Sequence, residues 1–186
     1  MGMRLLMEVI VMKTKKQDEL VNSFLFQLDP VFEAPLYHEL ALYLSECGYN
    51  PKKQRSYIVF KHDLHGREMA KMGPAWTKDH TPYFALRFSA CKGYSQRFAE
   101  IVRAYIEKNP NKLFPHCEDG NCIFCGEDDR PPAYSYVFPG GESKFLCGAK
   151  CLVIPGLAPE DMAEFKELIR EEHIYLMKRE VSVTVE

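Results

Sequence analysis

Residues 81–110 read TPYFALRFSACKGYSQRFAEIVRAYIEKNP, and the hydrophobic period changes within this stretch. In its first half the side chains alternate, with Phe84, Leu86 and Phe88 on one side and Tyr83, Ala85 and Arg87 on the other. In its second half apolar residues return at helical spacing: Tyr94, Phe98, Ile101, Val102, Tyr105 and Ile106. Pro110 discourages continuation of the helix, because the residue before a proline is unfavourable in the helical conformation. The stretch predicts a strand followed by an amphipathic helix.

The residues upstream predict two more helices and further strands. LYHELALYLSECG (36–48) has an apolar helical stripe and a glycine suited to a C-terminal cap. QDELVNSFLFQL (17–28) predicts an earlier helix with Asp18 as its cap. SYIVFKH (56–62) predicts a strand, and HGREMAKM (65–72) a second strand or a turn. We expect a compact α+β layer over residues of about 18–110.

The residues downstream predict a β-hairpin and a long helix. AYSYVF and ESKFLC flank Pro139-Gly140-Gly141, so the second strand ends at Cys147, opposite the region of Ala133. The helix, residues 157–180, has a packing stripe of Met162, Phe165, Leu168, Ile169 and Leu176. VSVTVE is expected to be an edge strand or a frayed tail. We divide the chain into an α+β domain (1–112) and a Cys-rich hairpin module with the C-terminal helix (113–186).

Composition indicates a globular protein. The 186 residues are 46% hydrophobic and 27% charged, which suits a folded core and argues against wholesale disorder. No apolar run approaches the roughly 20 residues that cross a bilayer. The N-terminal segment lacks a clear cleavage site, so we do not interpret it as a signal peptide. We expect a cytoplasmic protein without membrane contact, whose seven cysteines stay reduced.

Charge is unevenly distributed along the chain. Residues 52–112 carry thirteen Lys and Arg against five Asp and Glu, a balance of +8, although the whole chain carries −2. Such a basic segment predicts either an anionic partner, nucleic acid included, or acidic ends that fold back onto the middle. We slightly favour the second interpretation.

Five cysteines are clustered in the order Cys117-x4-Cys122-x2-Cys125-x21-Cys147-x3-Cys151. Cys-x2-Cys before glycine is typical of a zinc knuckle, and the hairpin brings Cys147 back to it. Cys122, Cys125 and Cys147 are three predicted zinc ligands; the fourth is Cys117, Cys151 or, more weakly, His116. Four thiolates leave no open coordination position, so we expect structural zinc that staples the hairpin. A redox-active Cys122–Cys125 dithiol and disulfides are the alternatives.

The segments CIFCGEDDRPPAYSYVFPGGESKFLCG and IPGLAPEDMAEFKELI resemble the C-terminal part of an uncharacterised bacterial family. Its members pair a small YdhG-like α+β domain with a Cys-rich, zinc-binding module, and PYFALRFSACKGYSQRFAEIVRAYIE is similar to their strand–helix segment. The resemblance covers about residues 35–175. It implies Cys117, Cys122, Cys125 and Cys147 as ligands with Cys151 as the spare, and it implies no reaction.

A second candidate site lies on the predicted sheet. Tyr57, Lys61, Tyr83 and Arg87 are expected to share one face, where they could bind an anionic small molecule or stack nucleic-acid bases. An ordinary solvated sheet face explains the same pattern. His62 and His65 are expected to be exposed in a turn, and His38 and His173 to lie at surface edges of helices.

No Gly-rich phosphate loop, GxSxG or HExxH motif is present, so the sequence gives no support for an enzyme. We predict a zinc-containing binding or regulatory protein whose sheet face takes a small molecule or a protein. Nucleic-acid binding through residues 52–112 and a thiol/zinc redox sensor are the alternatives.

Overall fold

The computed structural model describes residues 12–74, 82–108 and 132–183. Within these ranges the helices are α1 (Lys15–Leu25), α2 (Glu33–Glu46), α3 (Gln96–Lys108) and α4 (Met162–Val183), the last preceded by a 3-10 turn at Pro159–Asp161. The strands are β1 (Tyr49–Gln54), β2 (Tyr57–His62), β3 (Glu68–Pro74), β4 (Pro82–Leu86), β5 (Ala133–Val137), β6 (Ser143–Cys147) and β7 (Leu152–Ile154). The predicted α+β class is confirmed.

Five of the strands form one antiparallel sheet in the order β1-β2-β3-β4-β7. The remaining two, β5 and β6, form the predicted hairpin, in which Ala133 pairs with Cys147 as expected. Because β7 pairs with β4, a strand from the C-terminal segment completes the sheet built by the N-terminal segment. The described parts of both segments therefore share one sheet and one hydrophobic core.

The core lies between one face of the sheet and the helices. Phe84 on β4 meets Tyr37 of α2 and Phe165 of α4, with ring centroids 6.3 and 5.7 Å apart. Phe84, Leu86 and Phe88 are all fully buried, as expected for the core side of β4, and Ala85 and Arg87 are buried as well. The predicted stripe of α4 is buried as well. No helix in the described ranges is long and apolar enough to cross a bilayer.

Local chemistry explains where the helices begin and end. The cap of α1 is Thr14 rather than Asp18: Thr14 and Gln17 form a reciprocal capping box, while Asp18 accepts the backbone N–H of Met12. Gly48 follows α2 with φ +85°, as a C-terminal glycine should. Of residues 181–186, expected to form an edge strand or tail, 181–183 continue α4 to Val183, and 184–186 lie outside the described residues.

Two strands were not anticipated. β1 has the sequence YNPKKQ, which lacks the β-branched and aromatic alternation that marks a strand, and its proline is tolerated because β1 is an edge of the sheet. β7 has only three residues. Both are strands because neighbouring strands supply hydrogen-bond partners, and a local pattern does not carry that information.

Acidic residues of α4 hold the segment that joins β4 to α3. Arg87 Nε donates to Glu172 Oε1 at 2.7 Å, and both side chains are buried. The second carboxylate oxygen of Glu172 accepts the backbone N–H of Ala90 at 2.7 Å. Glu171 and Glu164 accept further backbone N–H groups of this segment, and Arg97 pairs with Asp161. The acidic C-terminal end thus folds back onto the basic middle, in line with the interpretation that we favoured.

Replacement of Glu172 by alanine is expected to lower the free energy of unfolding by about 3–5 kcal/mol, because it removes one partner of a buried ion pair. Glu167→Ala is the matched control on the same helix. Among the described residues Glu167 pairs with exposed Arg170, so its loss should leave the free energy of unfolding nearly unchanged. Urea denaturation of both variants measures the difference. Equal losses would contradict the anchoring role of Glu172.

Candidate functional site

The face of the sheet directed away from the core carries a group of polar and aromatic side chains. Strand alternation and register assign to it the residues that we call the tyrosine face: Asn50, Lys52, Gln54, Tyr57, Val59, Lys61, Glu68, Lys71, Gly73, Tyr83, Ala85 and Val153. In the described part of the chain, the aromatic packing contacts between helices and sheet lie on the opposite face. Three of the four residues predicted for ligand binding, Tyr57, Lys61 and Tyr83, belong to this group.

Two tyrosines flank a glycine across three strands. Tyr57 on β2 lies opposite Gly73 on β3, and Gly73 lies opposite Tyr83 on β4. The rings are therefore separated by a position with no side chain. A Cβ atom on Gly73 would come within 2.7 Å of Tyr57 Cβ and 3.0 Å of Tyr57 Cα, so the glycine is required by the packing. Both tyrosines are half-buried.

An ion pair lies beside the tyrosines. A β-bulge shifts the register of β2 and β3 so that Phe60 pairs with Ala70 but Lys61 with Glu68. Glu68 and Lys71, three residues apart, consequently share the tyrosine face, and their charged groups are 2.7 Å apart. The Lys71 ammonium is 5.7 Å from the centroid of the Tyr57 ring, within the range of a cation–π contact.

Burial alters proton affinities on this face. Burial opposes the charge of Lys71, but the hydrogen bond and charge of Glu68 outweigh it and raise the pKa of Lys71. Burial also raises the pKa of Tyr83, although the charge of Lys71 acts against this rise. Lys71 is therefore a cation and Tyr83 a neutral phenol, able to donate a hydrogen bond, at neutral pH.

Further positive charge lies along the β1 side. Lys52 on β1 is opposite Val59, and Lys61 is the diagonal neighbour of Lys52 on β2. Among the ion pairs between described residues none involves Lys52 or Lys61. Because Glu68 offsets only the charge of Lys71, these two lysines give the tyrosine face a net positive charge.

Arg87, the fourth predicted ligand-binding residue, has a different environment. Its side chain is only 4% exposed, and its Nε donates to Glu172 on α4. Its position in the structure therefore connects β4 with α4. Lys71 and Glu68 were missing from the prediction, because a bulge is set by the pairing of two strands and HGREMAKM alone does not reveal it.

The predicted zinc ligands are only partly within the described ranges. Cys117, Cys122 and Cys125, together with His116, lie outside them. Cys147 is buried at the end of β6. The Cys151 thiol donates to Glu68 Oε1 at 3.4 Å and contacts the backbone oxygen of Met69 at 3.6 Å. Within the ranges that the structure covers, no three His, Cys, Asp or Glu side chains are arranged to hold a metal ion.

The described thiols are poorly ionised. Burial raises the pKa of Cys47, Cys91 and Cys151, and neighbouring glutamates raise it further. Thiolate is the nucleophilic and readily oxidised form, so these three cysteines are unreactive at neutral pH.

His62 is more deeply buried than the sequence indicated, and His173 packs against the sheet. His62 is 6% exposed rather than exposed in a turn, and its ring stacks on that of His65. His173 on α4, expected at a surface edge, is half-buried against Tyr49. The expectation for His62 was wrong because Tyr49 and His173, which are distant from it in the chain, pack around its ring.

Comparisons of the sequence and structure with protein-family models, with curated proteins and with solved structures found no match. The resemblance to a bacterial family with a Cys-rich module stays a prediction. Functional inference for this chain rests on the geometry of its own residues.

Gly73→Ala is expected to destabilise the protein by about 1–3 kcal/mol, because the added methyl group meets Tyr57 Cα and Cβ, which cannot rotate away. Gly140→Ala in the β5–β6 turn is the control, since nothing lies within 4 Å of its Cβ position. That variant should change the free energy of unfolding by less than about 1 kcal/mol. Thermal or urea unfolding compares the two, and an unaffected Gly73→Ala variant would contradict the close packing.

Proposed function

We propose that this chain is a binding protein that takes a small planar anion on its tyrosine face. The observation that carries the proposal is the row Tyr57–Gly73–Tyr83, two aromatic rings on either side of a position without a side chain, with three lysines beside it. Aromatic rings offer flat apolar surfaces to a planar ligand. Lysines offer charge and hydrogen bonds to an anion.

Lys61 and Lys71 have different roles in this proposal. Lys71 is fixed by Glu68 and by the Tyr57 ring, so its position is preorganised before a ligand arrives. Lys61 and Lys52 have no ion-pair partner among the described residues, and their charge is available to a carboxylate, sulfonate or phosphate. The Tyr83 hydroxyl supplies a further donor.

Nucleic-acid binding is a second candidate, favoured only by the positive charge of the same face. Ion pairs within the protein weaken the case for nucleic-acid binding. Arg87 and Arg97 pair with Glu172 and Asp161, which lie outside residues 52–112, so two charges of the +8 balance are neutralised within the protein. The raised thiol pKa values likewise give no support to a redox sensor at the described cysteines.

We further propose that structural zinc is held by Cys117, Cys122, Cys125 and Cys147. The first three rest on sequence spacing alone. Support for Cys147 comes from its buried position opposite Ala133, because Cys125 of the predicted knuckle precedes Ala133 by only eight residues. The Cys151 thiol is already hydrogen-bonded to Glu68 and lies at the five-stranded sheet, which favours Cys151 as the spare cysteine. Such a zinc ion would support the hairpin and perform no reaction.

Binding is tested by adding 2-naphthoate to the protein and following backbone amide signals by NMR. Shifts should concentrate on β2, β3 and β4, and uncharged 2-naphthalenemethanol should bind more weakly. Lys61→Gln and Tyr83→Leu should each raise the Kd about five- to tenfold, through loss of a charged hydrogen bond or an aromatic contact. Lys16→Gln, at an exposed position of α1, is the matched control and should leave the Kd unchanged.

Shifts that lie elsewhere on the protein, or equal affinity for the uncharged analogue, would contradict the proposal. A ten-residue oligothymidylate is titrated in parallel. If it binds this face more tightly than naphthoate, and binding weakens steeply between about 50 and 200 mM salt, nucleic acid replaces the small anion as the ligand.

Elemental analysis of protein purified without chelator tests the zinc site. We expect about one zinc per chain. It should be retained in Cys151→Ser and lost in Cys147→Ser, because of these two cysteines only Cys147 is a proposed ligand. Cys47→Ser serves as a control for the loss of a cysteine elsewhere. If Cys151→Ser loses zinc and Cys117→Ser retains it, then Cys151 rather than Cys117 is the fourth ligand. Wild-type protein without metal would contradict the zinc proposal as a whole.

A further inference from the structure

Three histidines meet where α4 crosses the turn between β2 and β3. His62 ends β2, His65 lies in the turn and His173 lies on α4. The rings of His62 and His65 are stacked at 4.2 Å with an interplanar angle of 7°, and the His173 ring is 5.7 Å from that of His62. Tyr49 lies among them, with ring centroids 4.9–5.8 Å from all three. The cluster joins residues more than one hundred positions apart in the chain.

The turn needs two of these rings in the neutral form. The backbone N–H of Leu64 donates to His62 Nδ1 at 3.2 Å, and that of Arg67 donates to His65 Nδ1 at 3.1 Å. An imidazole nitrogen accepts a hydrogen bond only when it carries no proton. Protonation of either Nδ1 would therefore remove a bond that shapes the turn. It would also bring a positive ring against the neighbouring ring at stacking distance.

Among the described residues, the surroundings of His65 offer little to balance a positive charge. The charged and titratable groups of the described chain that act on Tyr49 and His65, besides the other histidines, are Cys47, Arg67, Arg87 and Glu172. Glu172 is already engaged by Arg87 and Ala90, and Asp63 in the same turn is held by Lys13 and Asn50. The two arginines repel a protonated histidine. His65 Nε2 is buried, and no described residue forms a hydrogen bond to it.

Gly48 lets the turn approach this closely. A Cβ atom at that position would lie 2.7 Å from His62 Nε2, and the backbone there has φ +85°. The Gly48 carbonyl oxygen also accepts the N–H of Asp63 at 3.3 Å. The packing between the end of α2 and the turn therefore leaves the His62 ring no room to move away from its neighbours on that side.

We propose that His62, His65 and His173 form a proton-sensitive latch, which holds α4 on the β2–β3 turn when the rings are neutral and releases it in mildly acidic solution. The latch is independent of the ligand proposed for the tyrosine face. It acts through three coupled changes: loss of the two turn hydrogen bonds, repulsion between the stacked rings, and repulsion from Arg67 and Arg87. The element that responds is the His173 region of α4.

The direction of the pH dependence follows from the cluster. Burial, His62, Arg67, His173 and Arg87 together lower the pKa of His65 to about 4, and burial and His62 lower that of His173. An opened turn would return these rings to their usual pKa near about 6.5. The latch is therefore complete above about pH 6.5 and weakens as the pH falls towards about 4, because the open form binds protons more readily.

Amide hydrogen exchange at several pH values, corrected for the intrinsic exchange rate, tests the latch. For each proton taken up on opening, the opening equilibrium constant should rise up to about tenfold per pH unit below pH 6.5. The rise should be confined to α4 around His173 and to residues 62–67. Protection of β3 and β4 should stay constant.

The informative variant is His65→Asn with His173→Asn. The side-chain oxygen of asparagine lies close to the position of the imidazole Nδ1, so at position 65 it can accept the backbone N–H of Arg67, two residues further on. Asparagine does not titrate. This variant should lose much less α4 protection at pH 5 than the wild type, because His62 is the one ring of the cluster that can still take up a proton, whereas His38→Asn on α2 should retain the wild-type pH dependence.

A double variant that loses protection at low pH as the wild type does would overturn the proposal. So would loss of protection that is uniform across all elements. If the double variant folds poorly, the imidazole titrations of the wild type, followed by NMR, replace it. Titration of all the cluster rings near their ordinary pKa would then also overturn the latch.

Discussion

The buried ion pair between Arg87 and Glu172 is the interaction on which the arrangement of the two halves depends. Burial raises the pKa of Glu172, so an ionised carboxylate there is stable only because Arg87 and the amide of Ala90 oppose that effect. A buried ion pair contributes little more net stability than apolar residues in the same place would. Removal of one partner, however, strongly destabilises the fold, because it leaves an uncompensated buried charge. The pair therefore fixes the position at which α4 crosses the sheet. That position brings Phe165 onto β4 and His173 onto the β2–β3 turn.

Strand β2 contributes to both proposed sites because its residues alternate between faces. Tyr57 and Lys61 point to the tyrosine face, whereas His62 at its end points to α4. The bulge in β3 likewise determines which side chains reach each face of the sheet. It keeps Met69 in the core and still directs Glu68 to the side of Lys71. A small irregularity of pairing thus builds the ion pair beside the tyrosines.

The tyrosine face and the histidine cluster differ in whether they stabilise a positively charged side chain. At the tyrosine face, the hydrogen bond and charge of Glu68 outweigh the effect of burial, so Lys71 keeps its proton. In the cluster, burial and two arginines disfavour charge, so the rings are neutral acceptors. One face of the sheet therefore carries the protonated Lys71, whereas the histidines at the end of the opposite face stay unprotonated. Net charge and composition show neither arrangement, because each depends on how deeply a given group is buried.

The amino-acid sequence by itself determined the elements whose signal is local. Periodicity identified α2, α3, α4, β2 and β4, the turn at Pro139-Gly140-Gly141 identified the hairpin, and alternation assigned Tyr57, Lys61 and Tyr83 to one face. The tertiary structure alone decided the features that need two distant segments. These are the pairing of β1 and β7, the bulge at Met69, the partner of Arg87 and the burial of the histidines. The physical reason is that hydrogen-bond pairing and desolvation are properties of contacts between segments, whereas helical and strand periodicity is a property of one segment.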